Sequence, residues 1–134
     1  TPHPAEAARL LRSTTAHVQA DRRAAALALA AMFRCEVVLK GAGSVLASAD
    51  GTWAVNATGN PGLASGGTGD VLAGLAGALL CQGVPAREAL RLAVGVHGAA
   101  ADALVARGVG PAGITASEIA LEARALLNRW SACP

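Results

Sequence analysis

The chain has 134 residues, 53% of them hydrophobic and 15% charged, which is enough apolar material for one domain without disulfides or metals and excludes a disordered chain. A formal net charge of +2, scattered arginines and an aromatic content of 2% supply neither a basic stripe nor stacking platforms, so nucleic-acid binding is not expected. The longest central apolar stretch, Val71 to Cys81, contains glycine and is about half the length a membrane helix needs, so no membrane span is expected either.

The chain opens Thr1-Pro2-His3-Pro4, with neither an initiator Met nor a leader segment, and a piece of a longer protein is expected. Pro2 and Pro4 impose an extended entry with His3 at the bend, and Glu6 to Leu11 then carries apolar residues on one helical face. Ser13 to Ala20 reads as a polar connection. Asp21 suits the N-cap of a run of strong helix formers from Arg22 through Phe33, ending at Arg34. Cys35 to Leu39 switches to a short β-branched and apolar run, the pattern of a strand buried on both faces, and a helix feeding such a strand points to an α/β layer.

Lys40-Gly41-Ala42-Gly43 closes that strand at its carboxyl edge, where open α/β sheets bind their ligands. Lys40 is the one lysine in the chain against ten arginines. A plain turn with a solvated lysine is the competing reading. Ser44 to Ser48 and Thr52 to Asn56 are strand-like and joined through Asp50-Gly51, a hairpin signal.

The hairpin delivers the chain into Asn60-Pro61-Gly62-Leu63-Ala64-Ser65-Gly66-Gly67-Thr68-Gly69-Asp70, a glycine-rich loop that turns into an apolar helix near Gly69. Glycines at positions 66, 67 and 69 permit close backbone approach, and the first amides of the helix lack intrahelical partners. With the positive end of the helix dipole, this corner favours phosphate oxygens. Asp70 is the anomaly, because a carboxylate there repels such a ligand unless it accepts a proton from a group that attacks or leaves the phosphate. Complementing the helix dipole is the simpler role for the same aspartate. The Walker pattern is excluded by the lack of a nearby lysine after the loop, and the dinucleotide fingerprint by Leu72 at its third glycine.

Beyond this helix, Gly83 can terminate it, and Pro85 can sit in the first turn of the next helix, running to about Arg107. Gly95 and Gly98 in that helix point to close packing, and His97 to a packed or hydrogen-bonded core residue. Gly108 ends it, and Thr115-x-x-Glu118 is a capping box for a final helix to about Arg129. Cys35, Cys81 and Cys133, an odd count without a Cys-x-x-Cys pair, read as reduced thiols of a cytoplasmic protein.

Four stretches now stand in order: Thr-Pro-His-Pro-x-Glu at Thr1 to Glu6, Leu-Lys-Gly-x-Gly-Ser at Leu39 to Ser44, Asn-x-Thr-Gly-Asn-x-Gly-Leu at Asn56 to Leu63, and Gly-Gly-Thr-Gly-Asp-Val-Leu at Gly66 to Leu72. Together with Thr115 to Glu118 they resemble the NAD(P)H-hydrate dehydratase family, metabolite-repair enzymes of the ribokinase-like fold. Ala5 departs from the glycine usual in the first motif. The resemblance covers essentially residues 1–134 and implies the carboxyl-terminal portion of a single three-layer α/β/α ribokinase-like catalytic domain, with the amino half of its sheet lying elsewhere. It implies use of ADP or ATP with Mg2+ to dehydrate hydrated NADH or NADPH, by phosphorylating the hydroxyl and releasing phosphate. Carried over by position, Asp70 is the catalytic base, and the amides of Gly67, Thr68 and Gly69 hold the transferring phosphoryl group. Lys40, Gly41, Ala42, Gly43, Ser44 and Gly69 contact the adenine nucleotide, His3, Asp70 and Asn60 contact the hydrated dinucleotide, and Glu6 orients the magnesium shell through water. A homo-oligomer is expected on the same basis. A vitamin-precursor or sugar kinase of the same superfamily, or an inactive nucleotide-binding remnant, are the competing readings, since a fold does not fix a function.

Overall fold

Alternation along three short strands sets the layers of this computed structural model, which describes residues 1–132. Strands β1 (Val37–Leu39), β2 (Val45–Ala47) and β3 (Trp53–Val55) form an antiparallel sheet in that order, with Val38 opposite Leu46 and Leu46 opposite Ala54. Every residue of β1 and β2 is buried, as a strand covered on both faces requires. Val37, Leu39, Val45 and Ala47 point to one side, where they pack with helices α1 (Pro4–Leu10), α2 (Thr15–Ala20) and α3 (Arg22–Phe33). Val38 and Leu46 point to the other, against α4 (Thr68–Cys81) and α5 (Ala86–Ala106). Helix α6 (Ala116–Ser131) closes that side by packing Ile119, Ala123 and Leu126 on Val96, Ala100 and Leu104 of α5. The result is the expected α/β/α sandwich. Its many buried alanines add little bulk between helix and sheet.

Local chemistry explains the boundaries. The Asp21 carboxylate accepts the Ala24 amide to start α3, and Arg34 ends it in the left-handed conformation at φ 51°. Thr115 and Glu118 close the expected capping box at the head of α6. Three expectations are corrected. Thr15–Ala20 is a helix, not a polar connection: the Thr14 hydroxyl accepts the His17 amide, and Val18, fully buried, is its single anchor, too sparse to register as a period. Helix α1 starts two residues early because His3 acts as its N-cap, and Pro85 is the N-cap of α5, not a residue of its first turn.

Helix α5 is long and apolar enough to cross a membrane by length and composition alone, with 21 residues and an 18-residue window of mean hydropathy 1.4. Ten of its residues are buried against the sheet, α4 and α6, the signature of a core helix. Cys35 and Cys81 are free and exposed, whereas Cys133 lies outside the described residues.

Candidate functional site

Three separate segments meet in one cleft of about 960 Å³: the bend at His3, the turn Lys40–Ser44 after β1, and the stretch from Asn56 to Asp70 that runs from β3 into α4. His3, Lys40, Gly41, Ala42, Gly43, Ser44, Asn60, Gly67, Thr68, Gly69 and Asp70 all line it. Glu6 does not. Its Oε2 accepts the His3 amide at 2.7 Å while His3 Nδ1 accepts the Glu6 amide at 3.3 Å, so this carboxylate works as half of a capping box. That bond, more than the nearby Lys40, holds the Glu6 carboxyl below its usual range.

The head of α4 has the geometry of an anion corner. Gly67 caps the helix in the left-handed region at φ 85° and ψ −14°, which a Cβ disfavours, and no side chain caps the helix. The Asp70 amide donates to Gly67 O at 3.1 Å and the Thr68 amide makes only a long 3.5 Å contact to Ser65 O. The Gly67 and Gly69 amides have no partner among the described residues. Lys40 Nζ lies 2.9 Å from where a Cβ on Gly69 would stand, so the ammonium rests directly over the first turn of α4. Two positive features, a cation and a helix N-terminus, thus share one spot; Glu6 Oε2, 3.9 Å from Lys40 Nζ, offsets the charge from one side, and the side facing the cleft favours an anion. Asp70 stands exposed on the same turn, in the same cleft.

The Lys40–Ser44 turn is fixed from behind. The Arg22 guanidinium donates to Leu39 O at 3.1 Å and to Ala42 O at 2.7 Å, and a Cβ on Gly41 would sit 2.7 Å from one of its nitrogens. Ser44 Oγ donates to Gly41 O and accepts the Gly41 amide. Sequence reasoning missed Arg22, since nothing in a helix former at a first turn marks it as a latch.

Helix α5 fixes the other wall. His97, read from the sequence as a hydrogen-bonded core residue, is buried and its Nε2–H donates to Thr68 O at 2.8 Å, so it buttresses the α4 N-terminus. Burial lowers its pKa, and the charge of Lys40 acts in the same direction. Asp102 went unnoticed. It accepts the Gly59 amide at 2.8 Å and Asn60 Nδ2 at 2.9 Å, while Thr58 Oγ1 donates to Gly95 O at 3.1 Å. Gly98 makes room for this strap: a Cβ there would meet Thr58 Oγ1 at 2.1 Å. Gly95, expected to serve packing too, faces open space on its Cβ side. The spacing of Gly95, Gly98 and Asp102 on one helix face was the available signal.

No group of three or more His, Cys, Asp or Glu side chains capable of holding a metal occurs among the described residues. The donor set therefore fits a magnesium ion only in the mode where phosphates and water supply most ligands and one or two carboxylates assist.

A family model described as NAD(P)H-hydrate dehydratase (Carb_kinase) matches residues 1–122. The chain is 54% identical over 129 residues to the ADP-dependent (S)-NAD(P)H-hydrate dehydratase of Neisseria meningitidis serogroup B, covering 96% of this chain and 44% of that protein. It is 42% identical to the bifunctional NAD(P)H-hydrate repair enzyme Nnr of Escherichia coli K12, over 96% of this chain and 25% of that one. The crystal structure of the ADP/ATP-dependent NAD(P)H-hydrate dehydratase of Bacillus subtilis, co-crystallised with ATP/Mg2+ and soaked with CoA, superposes with a TM-score of 0.90 at 33% identity, over 96% of this chain and 47% of that one. This chain thus spans about half the length, or less, of these relatives. With nine-tenths of its residues matched and its fold shared, the chain belongs to the NAD(P)H-hydrate dehydratase family, of ribokinase-like fold.

Proposed function

We propose that residues 1–134 form the carboxyl-terminal portion of a single ribokinase-like catalytic domain that dehydrates hydrated NADH or NADPH at the expense of ADP or ATP. The observation that carries this reading is the convergence of Lys40 with the uncapped α4 N-terminus beside Asp70 in one cleft. The nucleotide lies along the Lys40–Ser44 turn, with Gly69 beneath it. The amides of Gly67, Thr68 and Gly69 receive the charge of the transferring phosphoryl group. Asp70 accepts the proton of the substrate hydroxyl as its oxygen bonds to phosphorus and the bond to the nucleotide breaks. Phosphate then leaves with the electron pair of the C–O bond while the neighbouring carbon gives its proton to water, and the electrons of that C–H bond restore the ring double bond. His3, half-exposed at the cleft rim, contacts the dinucleotide. Magnesium, where bound, would neutralise phosphate charge with phosphate oxygens and water as most of its ligands, and Glu6 would act on it only through water, if its cap opens. A cytoplasmic location rests on reading the cysteines as reduced thiols, and assembly of identical copies rests on the family resemblance.

The test is an assay of the full-length protein with hydrated NADH plus ADP or ATP, set against a panel of vitamin-precursor and sugar substrates. Formation of NADH with release of phosphate is expected. Phosphorylation of a panel alcohol with hydrated NADH untouched would establish the kinase reading instead.

A further inference from the structure

We infer that Asn60 and Asp102 form a relay of fixed polarity that positions the Gly66–Asp70 loop, and that Asn60 is a positioning residue and not a substrate ligand. The inference rests on the functional reading above for its kinetic consequences, and on hydrogen-bond geometry for its existence. Asp102, on α5, can only accept: one oxygen takes the Gly59 amide at 2.8 Å and the other takes Asn60 Nδ2 at 2.9 Å. Asn60 Oδ1 in turn accepts the Gly62 amide at 3.0 Å and caps the 3₁₀ turn Pro61–Ala64. Neither end of the Asn60 amide can be reversed, because a flipped side chain would face Gly62 N–H with an NH2 group and Asp102 with an oxygen. That 3₁₀ turn leads directly into the loop, and Leu63 O, within the turn, accepts from Thr68 Oγ1 at 2.7 Å. The chain of contacts therefore runs from α5 through Asn60 to the residue that begins α4. Gly62 is held tightly at its other side: a Cβ there would meet Ile114 Cδ1 at 2.7 Å and Asn60 Oδ1 at 2.9 Å.

The polarity can be inverted as a pair. In Asp102→Asn alone, the new NH2 faces either the Gly59 amide or Asn60 Nδ2, donor against donor. In Asn60→Asp alone, two carboxylates face each other across the former hydrogen bond. In the double variant the amide at position 102 accepts Gly59 N–H through its oxygen and donates to the carboxylate at position 60, whose second oxygen still accepts Gly62 N–H. All three bonds are restored, with donor and acceptor exchanged only in the one between positions 60 and 102.

The experiment compares the two single variants and the double variant of the full-length protein. It measures ADP affinity, kcat and KM for hydrated NADH, and amide hydrogen exchange from Gly62 to Asp70. Each single variant should weaken ADP binding roughly 3- to 10-fold, the range of one net hydrogen bond, and speed exchange in that segment. The double variant should return all of these to within about twofold of the parent, since coupled residues depart from additivity in this way. A double variant no better than the worse single variant overturns the relay. A double variant that restores exchange and ADP affinity yet keeps a raised KM for hydrated NADH overturns the positioning role by showing Asn60 to touch substrate. Should the parent itself fail to act on hydrated NADH, the functional reading falls, while restored exchange in the double variant still upholds the relay and its absence still refutes it.

Discussion

Gly67 and His97 carry opposite kinds of constraint on the same helix end, one by lacking a side chain and one by supplying it. Gly67 sits at φ 85°, so Gly67→Val both strains the backbone and places a branched Cβ 3.2 Å from Ala116 Cβ, beside the anion corner. Calorimetry on a full-length Gly67→Val protein should show no measurable ADP or ATP binding; unchanged affinity would remove the loop from the nucleotide site. His97 gives a pH signature. Its folded pKa is depressed below 6.5, first by burial and further by Lys40, so the unfolded chain takes up a proton that the native one refuses. The histidine's contribution to stability is therefore full above about pH 6.5 and is lost as pH falls toward the folded value. His97→Gln, whose Nε2 keeps the donor to Thr68 O, should flatten the dependence of urea-unfolding stability between about pH 7.5 and 5.5, whereas an unchanged slope would assign it to other groups.

At the scale of elements, helix α5 is the member on which both walls of the cleft hang, through His97 on one side and Gly98 and Asp102 on the other. Its two central glycines make separable predictions. Gly98→Ala forces a Cβ into Thr58 and should destabilise by about 1–3 kcal/mol. Gly95→Ala meets nothing within 4 Å and should stabilise by roughly 0.5–1 kcal/mol through helix propensity. Melting curves of the two variants, moving in opposite directions, would check the strap's close approach; equal shifts would contradict it. The pair also shows how far the sequence reaches. Strong local signals placed their elements well: Asp21 before a run of alanines, Asp50-Gly51 between two β-branched runs, the Thr115–Glu118 box, and the glycine-rich turn into α4. Long-range partners were not legible. Nothing about Arg22 or Asp102 in sequence tells which carbonyl or amide each will meet 17 to 43 positions away, and α2, anchored by Val18 alone, has no period to read.

For the molecule as a whole, the sheet described by residues 1–132 holds three strands, and Lys40 N donates to Pro2 O, so the entry segment already runs beside the end of β1. A longer domain continuing this sheet is the reading in keeping with relatives of about twice the length or more. An intact-mass measurement on protein from its native source should give a chain well beyond 134 residues, and a native chain of this length alone would refute it. The Asp70 carboxylate stands exposed on the first turn of α4, beside the Gly67 and Gly69 amides that have no partner among the described residues and beneath the reach of Lys40. Removing its charge in Asp70→Asn should leave ADP affinity unchanged or improved, because a repulsion with phosphate disappears while the shape is kept. A mere dipole complement would cost roughly 0.3–1 kcal/mol of stability and leave turnover within a few-fold of the parent. The deciding measurement is turnover of hydrated NADH with ADP by full-length Asp70→Asn, taken alongside its melting temperature. As a positioned general base, Asp70 predicts a fall of roughly 10²–10⁴-fold in kcat from a folded protein that still binds ADP, and near-parental turnover from such a protein would contradict the catalytic assignment.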